Sequence, residues 1–215
     1  MRSQQSGFTL VEIAIVLVII GLLLGGILKG QELINSAKVK NLANDFRVIP
    51  TYIYAYQDKF KALPGDDPAG QTHLPGGTAA DNGNGNGVID GQWNSTTNTD
   101  ESYTFWRHVR LANLAAGPTV LTDPEYVPKN AVSGVLGVSS TQTAQIYIAG
   151  MTGTYQVCSK GILGKFAKQL DIQMDDGKTE TGSMRAVADG AAAGAAAVTT
   201  ATIDEAAPYT VCMTF

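Results

Sequence analysis

Few residues of this 215-residue chain are equipped for covalent chemistry. Its two histidines, His73 in a Gly/Pro-rich stretch and His108 in a helical pattern, have no cysteine or further histidine at metal-ligand spacing. Its two cysteines, Cys158 and Cys212, do not form the Cys-x-x-Cys pair of a redox enzyme. There is no Gly-x-Ser-x-Gly elbow or His-Glu-x-x-His helix, so nothing signals a hydrolase. Two features carry chemical information instead. One is Glu12, set in the apolar run from Phe8 to Leu28 whose only other strongly polar member is Thr9. The other is the loop Ala80-Asp81-Asn82-Gly83-Asn84-Gly85-Asn86-Gly87-Val88-Ile89-Asp90-Gly91.

That loop repeats oxygen-bearing side chains at alternate positions and follows them with Gly and Ile, which resembles a calcium loop of the D-x-[DN]-x-[DN]-G type. Asn82, Asn84, Asn86 and Asp90 would supply side-chain oxygens and Val88 a carbonyl, with Asp81 alongside. The first ligand position holds Asn rather than Asp, and Trp93 stands where a bidentate Glu is usual. A cation here therefore needs Asp81, Asp66, Asp67 or Glu101 to fold back and add charge. The competing reading is a Gly/Asn loop held by Asx turns without a metal.

The elements that position these residues follow from periodicity. Phe8 to Leu28 as a helix is about 30 Å long, the thickness of a bilayer core. It exceeds the apolar region of an ordinary secretory signal, and no A-x-A cleavage site follows it. Beyond it Ile34, Leu42, Phe46, Ile49, Ile53, Tyr56 and Phe60 recur at helical spacing, with Lys38 bridging the one gap by its aliphatic stem. One helix of about 50 residues accounts for both stretches. Pro50 predicts a kink near Phe46 to Pro50, Gly21, Gly25, Gly26 and Gly30 predict local stretching, and Ala62-Leu63-Pro64-Gly65 ends the helix.

A second helix starts at Thr99-Asp100-Glu101 and ends at Gly117-Pro118, with Phe105, Trp106, Val109, Leu111, Ala112 and Leu114 as core and His108 at the surface or rim. Strands are predicted at Gly134 to Val138, Ala144 to Ala149, Thr154 to Cys158, Ser183 to Val187 and Tyr209 to Phe215. A third helix carries Ile162, Leu163, Phe166, Ala167 and Leu170, and Asp175 to Lys178 form a turn. The Ala/Gly/Thr stretch from Ala188 to Ala201 lacks bulky anchors and reads as a mobile loop. The class is α+β: a long N-terminal helix on an antiparallel sheet. With 44% hydrophobic residues and a formal charge of −4 the chain is neither disordered nor a nucleic-acid coat protein.

Gly7-Phe8-Thr9-Leu10-Val11-Glu12, followed by the apolar run, resembles the cleavage and methylation motif of type IV prepilins and type II secretion pseudopilins. The resemblance is close over about the first 30 residues and extends along the helix to about residue 61. It implies that residues 1–7 are a leader, cut after Gly7 by a membrane prepilin peptidase, and that Phe8 becomes the N-methylated first residue. It implies that 8–28 are a transmembrane and polymerisation helix, 29–61 its amphipathic continuation, and 62–215 a globular head of pilin-like fold.

An acid within a spanning run costs about 2.5–3.5 kcal/mol on insertion scales and wants a partner. Cleavage after Gly7 would free the Phe8 amine of a neighbouring copy as that partner, and Glu12 would then set assembly register; the alternative is a Glu12 at the membrane interface that snorkels to water. Partners implied are further copies of the chain, other pilins, the peptidase, the membrane and an inner-membrane assembly platform. The location implied is the inner membrane before assembly and a periplasmic pseudopilus or extracellular pilus afterwards.

Cys158 and Cys212 resemble the pair bounding the C-terminal region of many pilins, which predicts a disulfide in an exported head; two buried free thiols are the alternative. The family is structural, so no enzymatic activity is expected, and calcium is the one cofactor for which the residues give a pattern. The competing function is an uncleaved bitopic protein whose exported domain binds a ligand or calcium.

Overall fold

The computed structural model describes residues 9–142 and 144–215; Gly7 and Phe8 lie outside the described residues. The chain divides into two compact units, Met1–Lys38 and Val39–Phe215. Helix α1, Leu10–Phe60, runs through the boundary between them. Thr9 and Glu12 close its first turn: the Thr9 amide and hydroxyl both donate to Glu12 Oε2 at 2.8 Å, and the Glu12 amide donates to Thr9 Oγ1 at 3.3 Å. This reciprocal capping box satisfies amides that the helix itself leaves orphaned. The four glycines and Pro50 lie inside α1 without interrupting it. It ends where Lys61 takes a left-handed conformation, φ 57°, ahead of Pro64.

In the first unit the large apolar side chains are 46–90% exposed, from Ile20 to Leu10, and Ile34 is among them. In the second, Val39, Leu42, Ala43, Phe46, Ile49, Ile53 and Tyr56 are buried on one face, while Lys40, Asn44, Arg47 and Asp58 are exposed. That face belongs to a core with Phe105 and Val109 of α3 (Glu101–Leu111), Phe166 and Leu170 of α4 (Gly164–Met174) and the inner side of a sheet. The sheet has four antiparallel strands in the order β1-β2-β4-β3: β1 Leu136–Ser140, β2 Tyr155–Leu163, β3 Met184–Ala188 and β4 Pro208–Thr214. The expected α+β, pilin-like arrangement is the one observed. A short helix α2, Gly70–His73, and a 3-10 turn at Ala79–Asp81 lie between α1 and α3.

Four segments depart from expectation. Helix α3 stops at Leu111 rather than at Gly117-Pro118, because Asn113 takes a left-handed conformation, φ 60°, that ends it. Ala144 to Ala149 is not a strand: the amides of Gln145 and Ile146 fold back on the Gln142 carbonyl, and Ile148 makes one isolated bridge to Ala195. The Gln156 side chain replaces a neighbouring strand by donating to the Gln145 carbonyl at 2.5 Å and accepting from the Tyr147 amide at 3.2 Å. β2 continues past Cys158 to Leu163, so the third helix begins at Gly164 rather than near Ile162. The register shift between Ser159 and Ile162 coincides with Gly161 at φ 76°, a bulge that only Gly adopts without cost. The stretch from Ala188 to Ala201 is tied down instead of loose, through Gly194 to the Ile146 and Tyr147 carbonyls, Ala149 to the Ala195 carbonyl, and Val198 to the Ala186 carbonyl.

Candidate functional site

The acidic loop is organised by carboxylates that reach in from outside it. Asp66 accepts the amides of Asn86 and Gly87 at 3.0 and 2.7 Å. Glu101, on the first turn of α3, accepts those of Asn84 and Asp90 at 2.9 and 3.0 Å. Burial raises the Glu101 carboxyl above its ordinary range against the pull of those two amides, and the charges of Asp66 and Asp90 add to the rise. Asn84 and Asn86 turn their amide oxygens onto the amides of Asn86 and Val88 as Asx turns, at 2.9 and 2.8 Å. Their amide nitrogens both donate to Asp90 Oδ2 at 3.0 Å, and Gln145 donates to Asp90 Oδ1 at 3.1 Å.

Of the six residues that the sequence puts forward as ligands, the structure thus brings Asn84, Asn86 and Asp90 together and turns others away. Asn82 accepts the Gln71 amide at 2.8 Å. Asp81 caps the Thr78 amide and hydroxyl and pairs with Arg107. Val88 enters through its amide. Asp66 and Glu101 do fold back onto the loop, but their oxygens take up backbone amides. A cation here would have to displace those bonds.

Behind the loop lies a buried polar group that sequence reasoning placed differently. His108 is fully buried rather than at the surface. The spacing Phe105, His108, Val109, Ala112 puts it on the buried stripe of α3, a signal that was present in the sequence. Its Nδ1 accepts the Gly65 amide at 2.9 Å, and burial pushes the imidazole down to about 4 although Asp81 and Asp67 pull upward.

Asp67, also fully buried, accepts the Tyr56 hydroxyl at 2.8 Å and the Ala69 amide at 2.9 Å, and pairs with His73 Nδ1 at 2.8 Å. Burial opposes its charge, yet the bonds from His73, Ala69 and Tyr56 together hold its carboxyl below the usual range. An open cleft of about 680 Å³, lined in part by Phe60, Asp66, Asp67, His73 and Tyr155, lies beside this group. The arrangement fastens residues 64–87 to α1 and α3.

Cys158 and Cys212 stand opposite each other on β2 and β4 and form a disulfide with Cα atoms 4.0 Å apart. Trp93, Tyr147, Ile148, Met151 and Val187 bury it in a second apolar cluster.

At the N-terminus the described chemistry is the Thr9–Glu12 box at the head of an apolar helix, and Leu10–Phe60 is long and apolar enough to cross a membrane. The family model of the prokaryotic N-terminal methylation motif matches residues 2–28. The chain carries this N-terminal motif, which supports its resemblance to type IV prepilins and pseudopilins. No curated protein and no solved structure matches the chain.

Proposed function

We propose that this chain is a structural subunit of a type IV pilus or a pilus-like type II secretion filament. The precursor is inserted in the inner membrane, cleaved after Gly7, N-methylated at Phe8 and polymerised through α1. The observation that carries this reading is the first unit itself. From Leu10 onward it is a helix with apolar side chains exposed on all sides, and the methylation motif at residues 2–28 extends through its apolar part. Such a helix finds its apolar surroundings in lipid or in copies of itself. Further copies, other pilins, the prepilin peptidase and an inner-membrane assembly platform are the partners. The finished filament lies in the periplasm or outside the cell.

Glu12 has two roles in this reading. Its carboxylate caps Thr9 within the chain, and its charge pairs with the amine freed at Phe8 of a neighbouring copy. The two roles separate by substitution, because Gln serves in a capping box as Glu does but carries no charge. In a host with the assembly machinery, Glu12→Ala and Glu12→Gln are both cleaved after Gly7 and both fail to enter filaments. Normal incorporation of Glu12→Gln would leave capping alone as the role of Glu12 and overturn the pairing.

A further inference from the structure

The last turn of α4 and the start of the connection to β3 bring three acids together, Asp171 from the helix and Asp175 and Asp176 from the connection, each offering an oxygen within 4.8 Å of the others. We infer that this helix end is a calcium site, with Asp171, Asp175 and Asp176 as its carboxylate ligands. Two oxygens that each lie about 2.4 Å from one calcium ion stand at most about 4.8 Å apart, so the spacing admits a shared ion.

Asp171 is the deciding residue. It is 1% exposed, and neither of its carboxylate oxygens has a hydrogen-bond partner among the described residues. The amides of Gly177 and Lys178 ease its charge from nearby without reaching hydrogen-bond geometry. A buried carboxylate without a partner is costly in any fold, and here the surroundings add to the cost. Besides burial, the charges that act on it are those of Asp175 and Asp176, both unfavourable.

The helix adds a further unfavourable field. Asp171 lies in the last turn of α4, which contains no basic residue, and Asp175 is its C-cap. A helix C-terminus is the negative end of the macrodipole and leaves carbonyl oxygens without intrahelical donors. Three carboxylates at that end have the wrong sign for the helix, and a dication reverses every one of these terms. Oxygen-only donors of this kind select a hard cation, and the adaptable shell of calcium suits them better than the strict octahedron of magnesium.

The flanking carboxylates are held in place by the turn. Asp175 Oδ2 accepts the Met184 amide at 2.8 Å, and Asp176 accepts the Lys178 amide at 2.9 Å and the Thr181 hydroxyl at 2.6 Å. Gly182, at φ 69°, lies so close to Asp175 that a Cβ there would stand 1.9 Å from Oδ2. Asp175 Oδ2 and both oxygens of Asp176 accept hydrogen bonds as Asp66 and Glu101 do, so the contrast with the Asn/Gly loop rests on Asp171, whose two buried oxygens are unfilled.

The test is calcium binding by the full chain in detergent micelles, stripped with chelator and followed by equilibrium dialysis and thermal melting. The expected result is one ion per chain, with a dissociation constant on the order of 10⁻⁴–10⁻³ M as in extracellular modules. Calcium at about ten times that constant then raises the melting temperature by about 3–6 °C. Asp171→Asn abolishes that rise. Asp176→Asn, an exposed change that leaves folding intact, weakens binding about tenfold or more because ligand charge sets affinity. Asp90→Asn leaves both readouts unchanged. Should Asp171→Asn not fold, the Asp176→Asn result decides. Absence of binding at millimolar calcium, wild-type binding by Asp176→Asn, or loss of binding in Asp90→Asn alone would each overturn the site.

Discussion

Leu10 to Lys38 and Val39 to Phe60 belong to one helix, and the two stretches meet apolar surroundings in opposite ways. In the second, apolar residues fall on one stripe and are sealed by the chain's own sheet and helices, with Leu42, Phe46, Ile53 and Tyr56 fully buried. In the first they fall on every side, and none of the large ones described is less than 46% exposed. Hydrophobicity alone says only that a segment must leave water. Its distribution around the helix says whether the chain supplies the shelter itself or requires lipid or other copies to do so.

That difference predicts opposite phenotypes for the same kind of truncation. Phe46→Ala should cost the second unit roughly 3–5 kcal/mol in denaturant unfolding, the range for a fully buried aromatic. Leu17→Ala should leave that unfolding within about 0.5 kcal/mol of wild type while reducing filament yield. Equal destabilisation by both would mean that the first stretch is sheltered by the chain itself, and the contrast would be lost.

A smaller effect sharpens the contrast, because the buried stretch brings titratable groups with it. Tyr56 faces a group made of Asp67, His73 and His108, with Asp81 and Arg107 acting on His108 by charge. His108 has an ordinary value near 6.5 when unfolded and about 4 when folded. As pH falls between these values the unfolded state takes up the proton first. Stability is therefore full above 6.5 and is lost progressively toward 4, by up to roughly 3 kcal/mol. Asp45, which burial pushes up to about 6, acts with the opposite sign. The informative quantity is consequently the difference between wild type and His108→Gln, which should narrow by about 2 kcal/mol between neutral pH and pH near 4.5. A gap that stays constant across that range would show that His108 remains accessible to protons in the folded chain.

The parts of the molecule that were legible in sequence are those whose signal is local. A methylation motif is read linearly, so Gly7, Phe8 and Glu12 stand out without any tertiary information, and the stripe from Leu42 to Tyr56 specifies α1 by period alone. The Thr9–Glu12 box was equally local, as a Thr-x-x-Glu start, but reading Glu12 only as a charge in need of a partner passed over it. What escaped depends on groups far apart in the chain. Gln156 satisfies Gln145 and Tyr147 from β2, so an alternating stretch never needs a strand partner. Ala188 to Ala201 lacks bulky anchors but is held by its backbone, which composition does not reveal. In the acidic loop the ligand spacing was visible, whereas the decisive fact, that amides reach Asp66 and Glu101 first, is a property of the folded chain. Asp171 was readable only as a core-adjacent helical position before its burial and its missing partners were known.

The central claim is that the exposed apolar stretch is a polymerisation surface released by cleavage. Mass spectrometry of the N-terminal peptide, taken separately from inner membranes and from the sheared extracellular fraction of the native host, tests it most directly. A surface filament subunit gives chains beginning at methylated Phe8 in the sheared fraction, and a periplasmic pseudopilus subunit gives the same processed peptide confined to the membrane fraction. Chains that all retain Met1 to Gly7 and stay in the membrane would contradict the claim and leave the uncleaved bitopic protein as the better account.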